Sequence, residues 1–268
     1  MKNRIQKIVP MVVFLLTLTP LPLSAQAAIS EEPDFPEIKS DYVYMVDLDN
    51  NQIMLDEGSE QTIYPASMTK MMTLLVAIEN APALESTMVL GPEVFAGLAE
   101  AHASVAGFKP GEEVSVKDLL YGLFLPSGAD AAQALALEEA GSEAAFVELM
   151  NEKAAALGMS GTHFVNTSGL HDPDHYTTLR DLEKLMRYAL ENPTFREIFQ
   201  TRRYTANPSL HPGGLVWEST LFAKLTTGPE NEANATITAN SSRIVNDSII
   251  GGKTGSTTPD GLSLASIA

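Results

Sequence analysis

The sequence predicts an α+β fold in which an antiparallel sheet, built from strands near both ends of the chain, packs against a helical middle. Three observations predict it. Residues 42–57 alternate as two short strands around a polar turn. Residues 67–192 carry a succession of helix-length apolar segments separated by Gly, Pro and Ser. Residues 248–268 return to a strand pattern rich in Ile, Thr and Ser.

The 268 residues begin with a distinct segment. Lys2, Arg4 and Lys7 precede the apolar run MVVFLLTL, and Ala25-Gln26-Ala27 supplies an A-x-A site. Residues 1–27 therefore read as a secretory signal peptide. The apolar run is short and is followed by Pro20 and Pro22, which argues against a membrane anchor. Residues 28–40 are polar and proline-bearing and read as a linker, which leaves 41–268 as the working domain. The expected location is extracytoplasmic.

Composition narrows the chemistry. There is no cysteine, hence no disulfide, thiol nucleophile or thiolate metal site. Without Lys2, Arg4 and Lys7, 14 basic residues face 34 acidic ones, a formal charge of −20. That excludes nucleic acid as an expected partner and offers no long-range attraction to an anion. An anionic substrate would need local cations.

The elements follow in order. YVYMVDL, DNN and QIMLDE read as strand, tight turn and strand. Residues 67–79 read as a helix, apolar at Met71, Leu74, Leu75 and Ile78. VKDLLYGLFL at 116–125 is a second helix, broken by PSG at 126–128. DAAQALALEEA is a third. SEAAFVELMNEKAAAL is a fourth, with Ser142 as N-cap and Gly158 as C-cap. TLRDLEKLMRYALEN is a fifth, stopped before Pro193. Residues 204–247 show no readable pattern. SIIGGKTGSTTPDGLSLASIA reads as two strands joined by a turn.

Three short stretches carry candidate chemistry. In ASMTK, Ser67 and Lys70 are spaced i, i+3 and share a helix face. Three readings stand side by side: a helix cap, a solvated lysine, or a nucleophile with its base. The helix N-terminus and burial both disfavour an ammonium there, so the lysine can become a base. About one S-x-x-K arises by chance in a chain of this length, so the motif alone decides nothing. In LPSGAD, Ser127 lies in the break between two apolar helices, as a cap for residues 130–139 or as a hydroxyl in a cleft. In GGKTGST, Lys253 lies on a strand flanked by glycines that permit close approach of a ligand or backbone. His163, His171 and His175 lie near Asp172 and Asp174 without metal-ligand spacing, so a surface loop is expected there and no metal.

S-x-x-K, a Ser-bearing loop and K-T-G, in that order, are the set of active-site serine penicillin-recognising enzymes. With FKPGEEVSVKDLLYGLFLPSGADAA, LMNEKAAALGMSGTHFVNTSGL and HYTTLRDLEKL, the chain resembles the D-alanyl-D-alanine carboxypeptidases over residues 40–268. The resemblance implies the penicillin-binding transpeptidase fold, with no cofactor. It makes Ser67 the acylated nucleophile, Lys70 its base and Ser127 a proton relay. Lys253, Thr254 and Gly255 would bind substrate, and the backbone N–H groups of Ser67 and Ser256 would form the oxyanion hole. The substrate would be a peptidoglycan stem peptide ending in D-Ala-D-Ala, and β-lactams would acylate the same serine. The His-bearing loop would border the cleft and influence deacylation.

Two departures stand out. The family's second motif is Ser-x-Asn, whereas this chain has Ser127-Gly128-Ala129; Asp130 beside it is expected to be a helix cap. Family members also continue past the equivalent of Ala268 with further strands, a helix and often a membrane-associating tail, so a C-terminally truncated domain is expected. The rival readings are a non-catalytic penicillin-fold binding protein and a class A β-lactamase. The latter needs an acidic base on its own loop, and none is evident between Asn166 and Asn192.

Overall fold

The computed structural model describes residues 40–81, 83–226, 249–257 and 261–268. The expected signal peptide, nearly all of the expected linker and the stretch 227–248 lie outside them.

The first hairpin forms as its sequence requires. β1 (Val43–Val46) pairs antiparallel with β2 (Ile53–Glu57), with a register shift at Met45/Val46. Its turn is held by the Asp47 carboxylate, which accepts the N–H groups of Asp49 and Asn50. Asn51 takes the left-handed conformation that Asn tolerates.

A 3-10 turn, Ala66–Met68, leads into α1 (Thr69–Asn80). Every residue of α1 from Thr69 to Ala77 is buried, polar ones included. Such a helix is central rather than amphipathic, and helices pack around it. α2 (Val116–Phe124) is capped by Ser115, whose hydroxyl accepts the Asp118 N–H. α3 (Ala129–Ala140) follows after a four-residue break. α4 (Glu143–Ala156) is capped by Ser142, and Gly158 follows it at φ +69°. α5 (Leu179–Ala189) is capped by Thr178. Phe146, Phe164, Phe195 and Phe199 fill the core between these helices and α1.

Pro193 ends one helix and begins another. α6 (Pro193–Gln200) starts with Asn192 accepting the N–H groups of Thr194 and Phe195, and proline sits where no N–H is needed. The unreadable stretch holds β5 (Arg203–Thr205), β6 (Val216–Glu218) and α7 (Thr220–Thr226).

The strand arrangement corrects one expectation. Among the described residues the strands form four separate two-stranded antiparallel sheets. These are β1–β2, β3 (Thr87–Val89) with β4 (Glu113–Ser115), β5–β6, and β7 (Gly251–Thr257) with β8 (Gly261–Ile267). Among the described residues the terminal hairpins are not paired with one another. Each pairs with its own sequence neighbour, the short-range solution a tight turn favours. The class remains α+β. What matters for the site is that β7 lies against the Ala66–Met68 turn and α7.

Candidate active site

The turn before α1 presents one side chain. From Pro65 to Ala77 every residue is buried except Ser67, which is half-buried. Ala66 is held at φ +49°, strained for a residue with a side chain. Gly169 presses on it: a Cβ at 169 would stand 1.8 Å from the Ala66 carbonyl oxygen. Ser67 is not the N-cap of α1; Met68 holds that position, without a side-chain capping bond.

One turn on, the Lys70 side chain is 2 % exposed. Its Nζ lies 3.4 Å from the Ser67 Oγ and donates to the Ser168 carbonyl. Burial lowers its pKa to about 7, against an opposing pull from the Asp130 charge. Near neutral pH Lys70 is therefore divided between ammonium and amine, the condition for a general base. As the amine it can accept the serine's proton. A 3.4 Å separation is ordinary for a catalytic pair without substrate.

The other two stretches converge here. Ser127 sits at φ +66° and is 5 % exposed. Lys253, 1 % exposed, donates to the Ser127 Oγ at 3.2 Å and to the Thr254 carbonyl at 2.9 Å. Burial pushes its pKa well down, and the charges of Lys70 and Lys224 add to that. The Thr254 hydroxyl donates to Thr220 Oγ1 at 2.8 Å. At Gly255 a Cβ would meet the Pro65 carbonyl oxygen at 3.1 Å, the Ala66 Cβ at 3.2 Å and the Ser67 nitrogen at 3.4 Å. The glycine thus lets β7 run directly beside the Ser67 turn. Ser256, the next residue, is exposed.

Two expectations need correction. Asp130 is not the cap of α3, since Gly128 is the N-cap residue. Its carboxylate, 0 % exposed, accepts the N–H groups of Ala106, Gly107 and Phe108, and that of Ala131. Three consecutive amides offer a carboxylate more than a cap site does. His175 is not on a surface loop; it is 2 % exposed. Its Nδ1 accepts the Val165 N–H, so Nε2 carries the hydrogen and donates to Thr69 Oγ1 at 2.7 Å. Burial holds its pKa down at about 4, so it is neutral above that. It ties the loop that supplies the Ser168 carbonyl to the start of α1. His163 and His171 are exposed, and His171 meets the Tyr64 ring edge-on at 4.6 Å. Among the described residues no group of three or more His, Cys, Asp or Glu side chains is placed to hold a metal ion.

Sequence reasoning missed Ser168, Gly169 and Thr220. Gly169 had a local signal in the turn-like NTSG, whereas Thr220 and the Ser168 carbonyl had none. Ala129 is 1 % exposed, and its N–H donates to the Ser104 carbonyl at 2.7 Å.

Comparison with known proteins agrees with this geometry. Residues 27–267 match the family described as D-alanyl-D-alanine carboxypeptidase. The chain is 30 % identical over 241 residues to the Escherichia coli D-alanyl-D-alanine carboxypeptidase DacA, a match covering 83 % of this chain and 58 % of DacA. It is 33 % identical over 184 residues to DacF of Bacillus subtilis, covering 66 % of this chain and 46 % of DacF. The chain thus spans about half the length of these relatives. Among solved structures, the Streptomyces K15 DD-transpeptidase superposes with a TM-score of 0.69 at 27 % identity, covering 87 % of this chain and 92 % of that one. A D-alanyl-D-alanine carboxypeptidase from Mycobacterium tuberculosis gives 0.69 at 29 % identity, covering 87 % and 79 %. The fold is that of the penicillin-binding DD-transpeptidases, and the chain belongs to the D-alanyl-D-alanine carboxypeptidase family.

Proposed function

We propose that this chain is a serine-type D-Ala-D-Ala carboxypeptidase that trims the terminal D-alanine from peptidoglycan stem peptides. One observation carries the reading: Lys70, buried and near its midpoint at neutral pH, lies against the single side chain that its turn leaves accessible, Ser67. Neutral Lys70 takes the hydroxyl proton as Ser67 Oγ attacks the carbonyl of the penultimate D-alanine. The N–H groups of Ser67 and Ser256 hold the resulting oxyanion, each worth about 3 kcal/mol of barrier. The peptide bond breaks as a proton passes through Ser127 to the leaving amine, and free D-alanine departs. Water, deprotonated by Lys70, then hydrolyses the ester and restores Ser67. Lys253 and Thr254 hold the terminal carboxylate, and Gly255 lets the substrate lie along β7.

The sequence departure at Ala129 favours one rival, a non-catalytic penicillin-binding module. A β-lactamase is less well supported: Glu143, the acid that reaches the Thr167 segment, is spent on the Thr167 N–H and hydroxyl. On this reading residues 1–27 direct secretion and the domain 41–268 works in the periplasm or cell-wall space.

A fluorescent penicillin tests the set. The carboxypeptidase should give a lasting covalent band, its mass mapping to the Ser67 peptide and vanishing in Ser67→Ala. No band would leave the binding module, and a transient band with destruction of the drug would leave the β-lactamase. An adduct on Ser127 or Ser256 would overturn the assignment of the nucleophile.

A further inference from the structure

Ser67, Lys70 and Thr73 follow one another at i, i+3 and i+6, so they lie along one face of α1 and the turn that leads into it. The first two have roles in the steps above. Thr73 has none, although it is a fully buried hydroxyl in the central helix. Its Oγ1 donates to the Thr167 carbonyl at 2.7 Å; the other acceptors within reach, the Thr69 carbonyl and Met150 Sδ, are farther away at 3.4 and 3.9 Å. Near the start of the same helix, Lys70 Nζ donates to the next carbonyl along, that of Ser168, at 2.5 Å. Two successive carbonyls of this loop are thus gripped by two side chains on one face of one helix.

The rest of the loop is held as closely. From α4, Glu143 Oε1 accepts the Thr167 N–H at 2.9 Å and the Thr167 hydroxyl at 2.8 Å, and Gln133 Nε2 donates to Glu143 Oε2 at 3.1 Å. Asn166 shapes the turn itself: its Oδ1 accepts the N–H groups of Ser168 and Gly169, and its Nδ2 donates to the Leu170 carbonyl. The Ser168 carbonyl is therefore an acceptor with a fixed position. A neutral lysine carries two N–H groups and one lone pair on a bond that otherwise turns freely. Donating one N–H to a fixed carbonyl restrains that rotation and lets the lone pair face Ser67 Oγ, 3.4 Å away. A nucleophile and its base commonly need a third group that orients the base, and a backbone carbonyl stands in that place here.

We propose that Thr73 is a positioning residue for the base: by holding Thr167 it sets the Ser168 carbonyl as the acceptor that orients Lys70 toward Ser67. The inference rests on the acyl-enzyme reading for its kinetic arm alone.

The test compares wild type, Thr73→Val and Thr73→Ser in the full chain. Valine keeps the shape and removes the hydroxyl; serine keeps the hydroxyl. Lys70 is titrated by NMR with labelled lysine, and acylation by benzylpenicillin is resolved into non-covalent binding and the bond-forming rate. In Thr73→Val the carbonyl is free to withdraw. An ammonium relies on that acceptor more than an amine does, so the Lys70 midpoint should fall by about 1 pH unit. The bond-forming rate on its alkaline plateau should fall about tenfold or more while binding is unchanged. Thr73→Ser should restore both. The charged and titratable groups that act on Lys70 or are acted on by it, Asp130 on α3, Lys253 on β7 and His175 before α5, are the same in all three proteins, so a moved midpoint reports the carbonyl. An unmoved midpoint or an unchanged plateau rate in Thr73→Val overturns the proposal, as does a Thr73→Ser protein that behaves like Thr73→Val. If Thr73→Val does not fold, Thr73→Ala is read in its place by the same two measurements. In wild type the carbonyl carbon shift of Ser168 should follow the Lys70 titration, and a shift that stays flat overturns the orienting role whatever the variants do. Absence of acylation in the wild type would sink the proposed function, while the Lys70 and Ser168 titrations would still decide the role of Thr73.

Discussion

Replacing Lys70 with methionine should abolish acylation and make the protein more stable. Burial lowers the Lys70 pKa from 10.5 to about 7, a change worth about 5 kcal/mol. The sign follows from proton counts. Between about pH 7 and 10.5 the unfolded chain holds the proton and the folded one has released it, so stability rises with pH through that window. Below pH 7 the whole penalty is present; above 10.5 it is gone. Methionine carries no proton, has a similar unbranched shape, and escapes the penalty. Against this, the Ser168 carbonyl loses its donor, at a cost of about 1–3 kcal/mol. Lys70→Met should therefore be about 2–4 kcal/mol more stable than wild type at pH 6, with the advantage shrinking to nothing or reversing near pH 10. Loss of the Lys70 charge also eases protonation of Lys253, which adds in the same direction at low pH. Urea unfolding of both proteins at pH 6, 8 and 10 measures the difference, in which every other titrating group nearly cancels. A methionine variant less stable at pH 6, or a difference that does not change with pH, would refute the reasoning.

Gly255→Ala should fold normally but acylate about tenfold or more slowly. Its Cβ, 3.1 Å from the Pro65 carbonyl oxygen, forces β7 and the Ser67 turn apart by a few tenths of an ångström; unchanged penicillin acylation would contradict that. His175 is neutral above about pH 4 when folded and above 6.5 when unfolded. Wild type should therefore lose about 3 kcal/mol more than His175→Gln between pH 6.5 and 4, and parallel stability curves would remove His175 from the acid response. Ala129→Asn should speed acylation by penicillin and by a D-Ala-D-Ala peptide about ten- to a hundredfold if the family's amide is a working part of the cleft. An Asn variant no faster than wild type would show that alanine is tolerated there.

Much of the helical framework was legible because its signals are local. Ser142 and Thr178 cap the helices their sequences announce, and Gly158 follows α4 in the left-handed conformation that suits glycine. The same local logic, applied one-sidedly, lost α6: Pro193 stops one helix, but Asn192-Pro193 also begins another. β5 and β6 are three residues each, too short for periodicity to register. The single sheet was an inference about long-range pairing, and each hairpin instead pairs with itself. In the candidate site, the motif order singled out Ser67, Lys70, Ser127 and Lys253, and the fold brings Lys70 to Ser67 and Lys253 to Ser127. The partners of Asp130 lie 22–24 residues upstream, and those of His175 include one 106 residues away. Nothing in the local pattern distinguishes a capping aspartate from one that binds a remote loop, or an exposed histidine from a buried one.

Under the proposed function, the burial of the two lysines explains how so acidic a chain would process an anion. Exposed lysines would stay charged; they would attract a carboxylate, but neither could act as a base near neutral pH. Buried at 2 % and 1 % exposure, Lys70 and Lys253 both resist charging, and each charge makes the other less favourable. Under the proposed function, substrate resolves this competition. A carboxylate arriving at Lys253 and Thr254 stabilises the ammonium of Lys253, and that new positive charge lowers the proton affinity of Lys70 further. The proton is drawn to the lysine that binds and withheld from the lysine that must accept one from Ser67. The base is therefore most fully in its working form when substrate is in place, and the chain's net charge of −17 matters little at the site where its other charges are screened by solvent. The strained backbone at Ala66 and Ser127 belongs to the same arrangement. Both residues sit where a hydroxyl must face one of the lysines, and both turns are braced from behind, by Gly169 and by the loop that Asp130 holds.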